Sequence, residues 1–372
     1  MKLLDILNFS EEYLKKYSFS KSRLESQKIV AHVLKLDRIS LYVYSDMELS
    51  LDQKEKVKNF LKEMARKRLS FDEILKTVTP EEKDTISYQD ENRELLNKSI
   101  EYLKTNGVND ARLDAEYIFA HILGVTRGTL TLNFHKKISE EDRIKIKDTL
   151  IQRAKNKRPL QYLIGEWEFY GYPFKVDERV LIPRPDTEIL VEQCKFLLQD
   201  MENPKVLDIG TGSGAIAITL AKEVPTSSVL GLDISSDALE VAKINRELNN
   251  VSNLKLQKSD IFSSVKDKDY SLIVSNPPYI PQTEYETLQP EVRIHEPAGA
   301  LTDKGDGYYF YKTISKEAKN YLKVGGYLAF EVGYNQADKV QGFMEENGFV
   351  IVARVCDYGG IERVVIGRKN GE

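Results

Sequence analysis

The spacing of apolar positions divides the chain into two parts. Over residues 1–157, apolar residues recur at helical intervals between charged ones, as in the series Leu24, Ile29, Val33 and Leu36. From residue 205 onward, short apolar runs alternate with helical stretches, which is typical of a parallel β-sheet with helices on its faces. We therefore predict a helical N-terminal region followed by an α/β domain.

The helical region contains an internal repeat. The segment that starts at Glu12, EYLKKYSFSKSRLESQKIVAHVLKLDRISL, matches the segment that starts at Glu101, EYLKTNGVNDARLDAEYIFAHILGVTRGTL, at an offset of 89 residues. The register continues without a gap to Ala65 and Ala154, which two unrelated helical stretches would not maintain. We predict a duplicated helical bundle, with the first copy at 1–68, a polar linker at 69–92 and the second copy at 93–157.

The segment after the second copy predicts a connection between the bundles and the α/β domain. Residues 160–176, LQYLIGEWEFYGYPFKV, are aromatic and interrupted by Gly-Tyr-Pro, which predicts a short β-hairpin within a linker at 158–185. The following LIPRPDTEILVEQCKFLL predicts a helix with Asp186 or Thr187 as its N-cap. We place the α/β domain at 186–372.

Composition narrows the functional classes. The chain has 372 residues, and its 54 Lys and Arg against 58 Asp and Glu give a net charge of −4, which argues against binding nucleic acid through bulk positive charge. Cysteine occurs only at Cys194 and Cys356, the longest apolar run is far shorter than a membrane span, and the four histidines show no ligand spacing. These features predict a cytoplasmic protein without a membrane segment or a metal site.

A glycine-rich turn at the start of the α/β domain predicts a nucleoside site. KVLDIGTGSGAIAITLAKEV is typical of a buried strand, a turn and a helix, and the turn contains Gly210, Thr211, Gly212, Ser213 and Gly214. The next apolar strand, VLGLDIS, ends in Asp233, where a carboxylate can accept hydrogen bonds from ribose hydroxyls.

The spacing of the glycines favours one nucleoside cofactor over another. An NAD-binding Rossmann turn would have G-x-G-x-x-G with the helix N-terminus facing a pyrophosphate. This chain has G-x-G-x-G, a tight loop suited to a ligand without phosphates, and S-adenosylmethionine fits that description. In the third strand end, LQKSDIF, we expect Asp260 to bind the adenine amino group and either Ile261 or Phe262 to pack on the adenine face.

The fourth strand end predicts the reacting group. SLIVSNPPYI runs from a strand into Asn276, Pro277, Pro278 and Tyr279, and proline ends a strand because it lacks an N–H. An amide or aromatic-amine nitrogen is a poor nucleophile, and two acceptors aimed at its N–H bonds would hold it toward a methyl donor. We expect the side-chain oxygen of Asn276 and the carbonyl of Pro277 to be these acceptors, with Tyr279 as a flat wall for a planar acceptor group.

The complete set of motifs resembles the N5-glutamine methyltransferases that modify class I peptide chain release factors. The resemblance runs from about residue 101 to 372, through RPLQYLIGEWEFYG, LIPRPDTE, DIGTGSGAIAI, SNPPYI, EVRIHEPAGAL, FEVGYNQ and DYGGIERVVIG. It implies a Rossmann-like, seven-stranded class I methyltransferase domain whose last strand is antiparallel, preceded by a helical bundle and a hairpin. It also implies that the acceptor is the glutamine of a Gly-Gly-Gln loop.

The resemblance assigns roles to individual residues. It places Gly210 through Gly214 and Asp233 at the cofactor, and Asn276 through Tyr279 at the glutamine amide. We also expect Asn276 to contact the cofactor. We expect a monomer, and we expect the second bundle to dock the release factor because it is joined directly to the hairpin, as the single bundle is in the family. Two departures are that Ile261 stands where the family often has an aromatic residue, and that this chain has two bundles instead of one.

Two other functions use some of the same features. An N6-adenine nucleic-acid methyltransferase can share the NPPY tetrapeptide, but neither the net charge nor any Lys/Arg-rich insertion provides a surface that grips nucleic acid. A non-catalytic S-adenosylmethionine-binding module would not need an oriented amide acceptor such as Asn276. We therefore expect the release factor methyltransferase.

Overall fold

The structure is a computed structural model that describes residues 2–76 and 80–371, and the side chains among these outside 80–87. The chain forms two compact units, residues 1–156 and residues 157–372. The first is helical and the second contains the β-sheet, as the apolar pattern predicts.

The helical unit contains both copies of the repeat. Short 3₁₀ turns at Arg127–Thr129 and Thr131–Asn133 precede its last helix. The α-helices are α1 Leu3–Lys16, α2 Ser22–Leu34, α3 Ser40–Val43, α4 Leu51–Lys67, α5 Phe71–Leu75, α6 Pro80–Thr105, α7 Ala111–Ile122 and α8 Glu140–Ala154.

Several helix ends repeat at the same offset of 89 residues that the sequence shows. α1 and α6 end at equivalent positions, and α2 and α7 begin at equivalent positions. Ser50 and its equivalent Ser139 each cap the following helix, accepting a backbone N–H at 3.2 and 3.0 Å. The two copies therefore share these helix boundaries as well as one sequence pattern.

The structure differs from the prediction of a polar linker at 69–92. Phe71 and Ile74, on α5, are buried in the apolar core of the first bundle, and Glu25 Oε2 accepts the Phe71 N–H at 2.6 Å. The following helix, α6, begins at Pro80 and continues into the second copy, while residues 77–79 lie outside the described part of the chain. Among the described polar residues of this segment, Asp72, Glu73, Asp90 and Glu91 are exposed, since a helix needs only one apolar stripe to be stable in a bundle.

Because α5 is part of the first bundle, Phe71→Ala is expected to destabilise the helical unit. Truncating a buried phenylalanine typically costs about 3 kcal/mol in the free energy of unfolding through lost burial and the cavity left behind. Denaturant unfolding of the full chain measures the change. Phe9→Ala is the matched control because Phe9 is 52% exposed, and an equal loss in both variants would contradict the assignment of α5.

The second unit contains the remaining elements. Its helices are α9 Leu160–Ile164, α10 Pro185–Leu198, α11 Ala215–Glu223, α12 Ser236–Leu248, α13 Gln282–Tyr285, α14 Pro290–His295, α15 Ala298–Leu301, α16 Tyr309–Ala318 and α17 Ala337–Glu346. Its strands are β1 Glu166–Phe169, β2 Tyr172–Lys175, β3 Lys205–Ile209, β4 Ser228–Asp233, β5 Leu254–Lys258, β6 Tyr270–Ser275, β7 Leu322–Glu331, β8 Phe349–Cys356 and β9 Glu362–Lys369.

The helix after the hairpin begins earlier than the sequence suggests. Arg184 is the N-cap of α10 and Pro185 is its first residue, since proline is well tolerated where no N–H bond is needed. Asp186 and Thr187 lie in the first turn and do not cap the helix. Thr187 instead points to a buried carboxylate, as described below.

Strands β1 and β2 form the predicted hairpin. They pair antiparallel across a two-residue turn. Tyr170 and Gly171 in this turn both have positive φ, 52° and 75°, which is the type I′ geometry that matches the twist of the flanking strands.

In the part of the chain that the structure describes, the other seven strands form one sheet in the order β5-β4-β3-β6-β7-β9-β8. Strand β9 is antiparallel to both of its neighbours, while β3, β4, β5, β6 and β7 pair parallel. This confirms the predicted fold class, including the single reversed strand.

Helices cover both faces of this sheet. The hairpin, α10 and α11 pack on one face, and α16 and α17 pack on the other. The carboxyl ends of β3, β4, β5 and β6 meet at one edge, where loops can approach a ligand. Among the described helices, none has the length and apolar character needed to cross a membrane.

Candidate active site

The glycine-rich turn forms one wall of a cavity at the carboxyl edge of the sheet. Gly210, Gly212 and Gly214 have positive φ of 74°, 55° and 83°, which other residues rarely adopt. A Cβ added to Gly210 or Gly212 would meet no atom within 4 Å, whereas one at Gly214 would lie 2.7 Å from the Ile218 side chain. The first two glycines leave room for a ligand, and Gly214 allows close packing of α11.

Hydrogen bonds hold the glycine-rich turn from behind. Thr211 N–H donates to the Leu232 carbonyl at 2.7 Å, and Asn245 Nδ2 donates to the Ser213 carbonyl at 2.9 Å. Thr211 and Ser213 are buried. These two residues therefore support the turn and do not face the cavity.

Asp233 lies at the end of β4 beside the turn. Its two carboxylate oxygens accept the N–H groups of Gly212 and Ser235, both at 2.9 Å. Desolvation raises the pKa of Asp233 above its ordinary value. A carboxylate has about four lone-pair sites, so Asp233 can accept further hydrogen bonds from a ligand while it holds the loop.

The loop after β5 places Ile261 in the cavity and Phe262 outside it. Ile261 has a φ of 46°, an uncommon conformation for a β-branched residue that is often found at functional sites, and it lines the cavity. Phe262 is 2% exposed and stacks on Tyr321 with ring centroids 4.5 Å apart. Asp260 is exposed and also lines the cavity.

The cavity has a volume of about 400 Å³, within the range typical of small-molecule sites. Most of the predicted site residues line it, while Thr211, Ser213, Gly214 and Tyr279 do not. The predicted residues in its lining are Gly210, Gly212, Asp233, Asp260, Ile261, Asn276, Pro277 and Pro278.

Asn276 is held by a chain of two hydrogen bonds that leads to a buried carboxylate. Its Nδ2 donates to Thr187 Oγ1 at 3.2 Å, and Thr187 Oγ1 donates to Glu331 Oε2 at 2.6 Å. Because the threonine proton goes to the carboxylate, the oxygen lone pair of Thr187 must face the amino end of the Asn276 amide. Asn276 Oδ1 is thereby left for another donor, and within the described residues no donor reaches it or the Pro277 carbonyl.

Glu331 is a buried carboxyl at the end of β7. It is 2% exposed, and desolvation raises its pKa to about 7, a shift that the hydrogen bond from Thr187 opposes. Asp186 raises the pKa of Glu331 further, and Arg363 lowers it. The carboxylate therefore takes up a proton as pH falls through about 7.

Tyr279 lines a smaller neighbouring cavity of about 130 Å³, together with Asn276, Arg184 and Glu331. Gln336 Nε2 donates to the Tyr279 carbonyl at 2.9 Å, which fixes the end of the NPPY segment. Burial raises the pKa of the Tyr279 hydroxyl above its ordinary value, so this hydroxyl stays protonated at neutral pH. A hydroxyl that stays protonated is not suited to act as a base.

Three residues of the site were not predicted from the sequence as site residues. Thr187 and Glu331 orient Asn276, and Glu296 binds the Ile182 N–H at 3.3 Å and the guanidinium of Arg184. All three occur in motifs that carried the family resemblance, LIPRPDTE, FEVGYNQ and EVRIHEPAGAL. The motifs therefore indicated that these positions matter. Nothing in the neighbouring residues indicated which side chains Glu331 and Glu296 would contact.

Family models match three parts of the chain. The model described as "Methyltransferase small domain" matches residues 187–309. The model described as "PrmC N-terminal domain" matches residues 5–68 and again 94–165. The second model thus matches both copies of the helical repeat.

Curated relatives are similar over nearly their whole lengths. The release factor glutamine methyltransferase of Fusobacterium nucleatum subsp. nucleatum is 52% identical over 341 residues, 91% of this chain and 94% of that protein. That of Geobacter sulfurreducens is 41% identical over 276 residues, 74% of this chain and 96% of that protein. Residues 69–372 number 304, so an alignment of 341 residues includes part of the first copy.

A solved structure is also similar. It is the protein-(glutamine-N5) methyltransferase (release factor-specific) from Alicyclobacillus acidocaldarius subsp. acidocaldarius, 32% identical. The match covers 53% of this chain and 100% of that chain, with a TM-score of 0.33.

Proposed function

This chain belongs to the release factor glutamine methyltransferases, and we propose that it methylates the side-chain amide nitrogen of the glutamine in the Gly-Gly-Gln loop of class I peptide chain release factors. The observation that carries this proposal is the position of Asn276, which lines both the larger and the smaller cavity. The larger cavity has room for a nucleoside, whereas the smaller one admits only a group the size of a side chain. Asn276 would therefore contact both ligands.

The residues of the larger cavity fit S-adenosylmethionine. Gly210 and Gly212 leave open space on the cavity side of the turn, and Asp233 retains acceptor sites for ribose hydroxyls. Ile261 would pack on the adenine face, and the Asp260 carboxylate would accept a hydrogen bond from the adenine amino group. When bound, the cofactor supplies an electrophilic methyl group on a sulfonium.

Asn276 Oδ1 and the Pro277 carbonyl oxygen would accept hydrogen bonds from the two N–H groups of the target amide. An amide lone pair is delocalised into the carbonyl, and fixing both N–H groups holds the nitrogen in one orientation for in-line transfer. The methylated nitrogen is then a strong acid that loses its proton to water. A general base is not needed before transfer, which agrees with the protonated state of Tyr279.

Thr187 and Glu331 would act as positioning residues through Asn276. An ionised Glu331 accepts a hydrogen bond from the Thr187 hydroxyl. The Thr187 oxygen can then only accept a hydrogen bond from the Asn276 amide N–H. If Glu331 is protonated, the Thr187 proton is free to bond Asn276 Oδ1, and the amide can rotate. Correct orientation of Asn276 therefore depends on the ionised carboxylate.

Removing the threonine hydroxyl is expected to slow turnover. Thr187→Val should lower kcat about tenfold with little change in KM, because a group that positions the reacting atoms acts mainly in the transition state. In the wild type, kcat should rise with pH as Glu331 ionises near its pKa of about 7. Glu331→Gln should flatten this rise, which kcat measured between about pH 6 and 8 detects.

Thr187→Ser is the matched control, since it keeps the hydroxyl and should restore most of the wild-type kcat. A serine variant as slow as the valine variant would contradict the positioning role, as would a Glu331→Gln profile that keeps the wild-type inflection.

Incubation with a purified class I release factor and methyl-labelled S-adenosylmethionine tests the function directly. We expect one methyl group on the glutamine of the Gly-Gly-Gln loop, identified by mass mapping of the peptides. A parallel reaction with duplex DNA tests the N6-adenine alternative. Label on adenine, or no label on the release factor, would overturn the proposal.

A further inference from the structure

The two helical copies carry equivalent grooves of unequal size. The first-copy groove has a volume of about 1290 Å³, and its lining includes Arg23, Leu24, Gln27, Arg38, Ile39 and Val43. The second-copy groove, of about 400 Å³, is lined at the equivalent positions by Arg112, Leu113, Glu116 and Arg127. The arginines and the leucine are identical in the two copies, whereas Gln27 stands in the place of Glu116.

The exchange of Glu116 for Gln27 changes the charge of the groove. In the second copy, Glu116 forms ion pairs with Arg112 and Arg127 at 3.6 and 3.3 Å. In the first copy, Arg38 Nε donates to Gln27 Oε1 at 3.2 Å and Arg23 Nη2 donates to the Tyr42 hydroxyl at 3.4 Å. Both partners are neutral, so neither arginine charge is neutralised by an ion pair within the part of the chain that the structure describes.

Two further cations line the first-copy groove. Lys21 and Arg93 face it alongside Arg23 and Arg38, against a single carboxylate, Asp37. Asp37 Oδ2 lies 4.0 Å from Arg93 Nη2. The groove therefore carries a net positive charge on a chain that is acidic as a whole.

The first-copy groove also exposes aliphatic side chains. Ile39 is 79% exposed and Val43 is 71% exposed. The equivalent positions in the second copy are Gly128 and Leu132, and Leu132 packs against the apolar core of the first bundle. Exposed apolar side chains often mark protein-binding surfaces, and arginine is enriched at such surfaces.

We propose that the first-copy groove docks an acidic segment of the release factor that also carries apolar side chains. The proposal rests on the proposed function for the identity of the partner. Carboxylates on such a segment would pair with Arg23 and Arg38, and its apolar groups would cover Ile39 and Val43. Complementary charge of this kind sets specificity and the rate of association more than the chemical step.

A nucleic acid would suit the groove less well. Single strands are bound by aromatic side chains on which bases stack, and among the lining residues of this groove only Tyr42 is aromatic. A phosphate backbone would not cover the exposed side chains of Ile39 and Val43, which would stay in contact with water. The observations therefore favour a protein segment.

The test compares charge reversal inside and outside the groove in the full chain. The double variant Arg23→Glu and Arg38→Glu should raise KM for the intact release factor about tenfold and leave kcat unchanged. Methylation of a short Gly-Gly-Gln peptide should not change, since the peptide lacks the docking segment. The matched control is Lys58→Glu with Lys62→Glu, a double reversal on exposed positions of α4 outside the groove.

Each result separates the two proposals. A wild-type enzyme that fails to methylate release factor would overturn the proposed function, whereas an active wild type with equal KM in the groove variant would overturn only the docking proposal. Loss of binding to a short single-stranded RNA, with KM unchanged, would assign the groove to nucleic acid instead. The milder variant Arg23→Gln with Arg38→Gln, checked by thermal unfolding, guards against misfolding and should raise KM in the same direction.

Discussion

Replacing Asn276 with alanine should lower kcat by roughly 100-fold or more while the Kd for S-adenosylmethionine stays nearly unchanged. The Asn276 amide points its Nδ2 at Thr187. Its Oδ1 therefore points away from Thr187 and Glu331. Alanine removes the acceptor that would hold the target amide, and the loss falls on the transition state. Single-turnover methylation of release factor and calorimetric titration of the cofactor measure the two quantities separately.

Asn253→Ala is the matched control for the asparagine variant. Asn253 Nδ2 bonds the carbonyls of Ala221 and Ser227 at 3.0 and 3.1 Å, just before β5 and therefore at the opposite edge of the sheet. The control should reduce stability and leave kcat near the wild-type value. Methylation by the Asn276 variant at the wild-type rate would remove this residue from the catalytic site.

Replacing Asp233 with alanine should weaken cofactor binding roughly ten- to a hundredfold, since a hydrogen bond to a charged group contributes about 1.5–3 kcal/mol. The structure adds a second reason for this loss. Asp233 also accepts the Gly212 N–H at 2.9 Å, so its removal releases the glycine-rich turn. Calorimetry with S-adenosylmethionine gives the Kd of each variant.

Asp237→Ala is the control for Asp233→Ala. Asp237 is an exposed carboxylate in the first turn of α12, close in sequence and absent from the cavity lining. An Asp233 variant with the wild-type Kd would show that this carboxylate does not bind the cofactor. Asp233→Asn, which keeps one acceptor oxygen, should fall between the wild type and the alanine variant.

The duplication shows where composition misleads about structure. The repeat was predictable because an ungapped offset over many residues is a property of the sequence alone. The polar composition and Pro80 predict a linker at 69–92, yet Phe71 and Ile74 on α5 belong to a core. Two apolar residues in a short helix give too weak a pattern to reveal burial, which depends on the surface of α2 and α4 that they meet.

The sequence by itself determined the features that adjacent residues produce. The strand, glycine-rich turn and helix from 205 to 223, Asp233 at a strand end and the NPPY segment are all local, because proline and glycine restrict or permit backbone conformations wherever they occur. Parallel strands place their carboxyl ends at one edge, so these separate motifs could be expected to meet.

Only the tertiary structure decided how Asn276 is oriented and which side chain faces the cavity. Thr187 lies 89 residues before Asn276 and 144 residues before Glu331, and they meet because β6 and β7 are neighbours and α10 packs across them. Likewise, the positive φ of Ile261 turns it toward the cavity and leaves Phe262 stacked on Tyr321. Contacts between residues far apart in sequence depend on packing and on long-range hydrogen bonds, for which a single sequence carries no local signal.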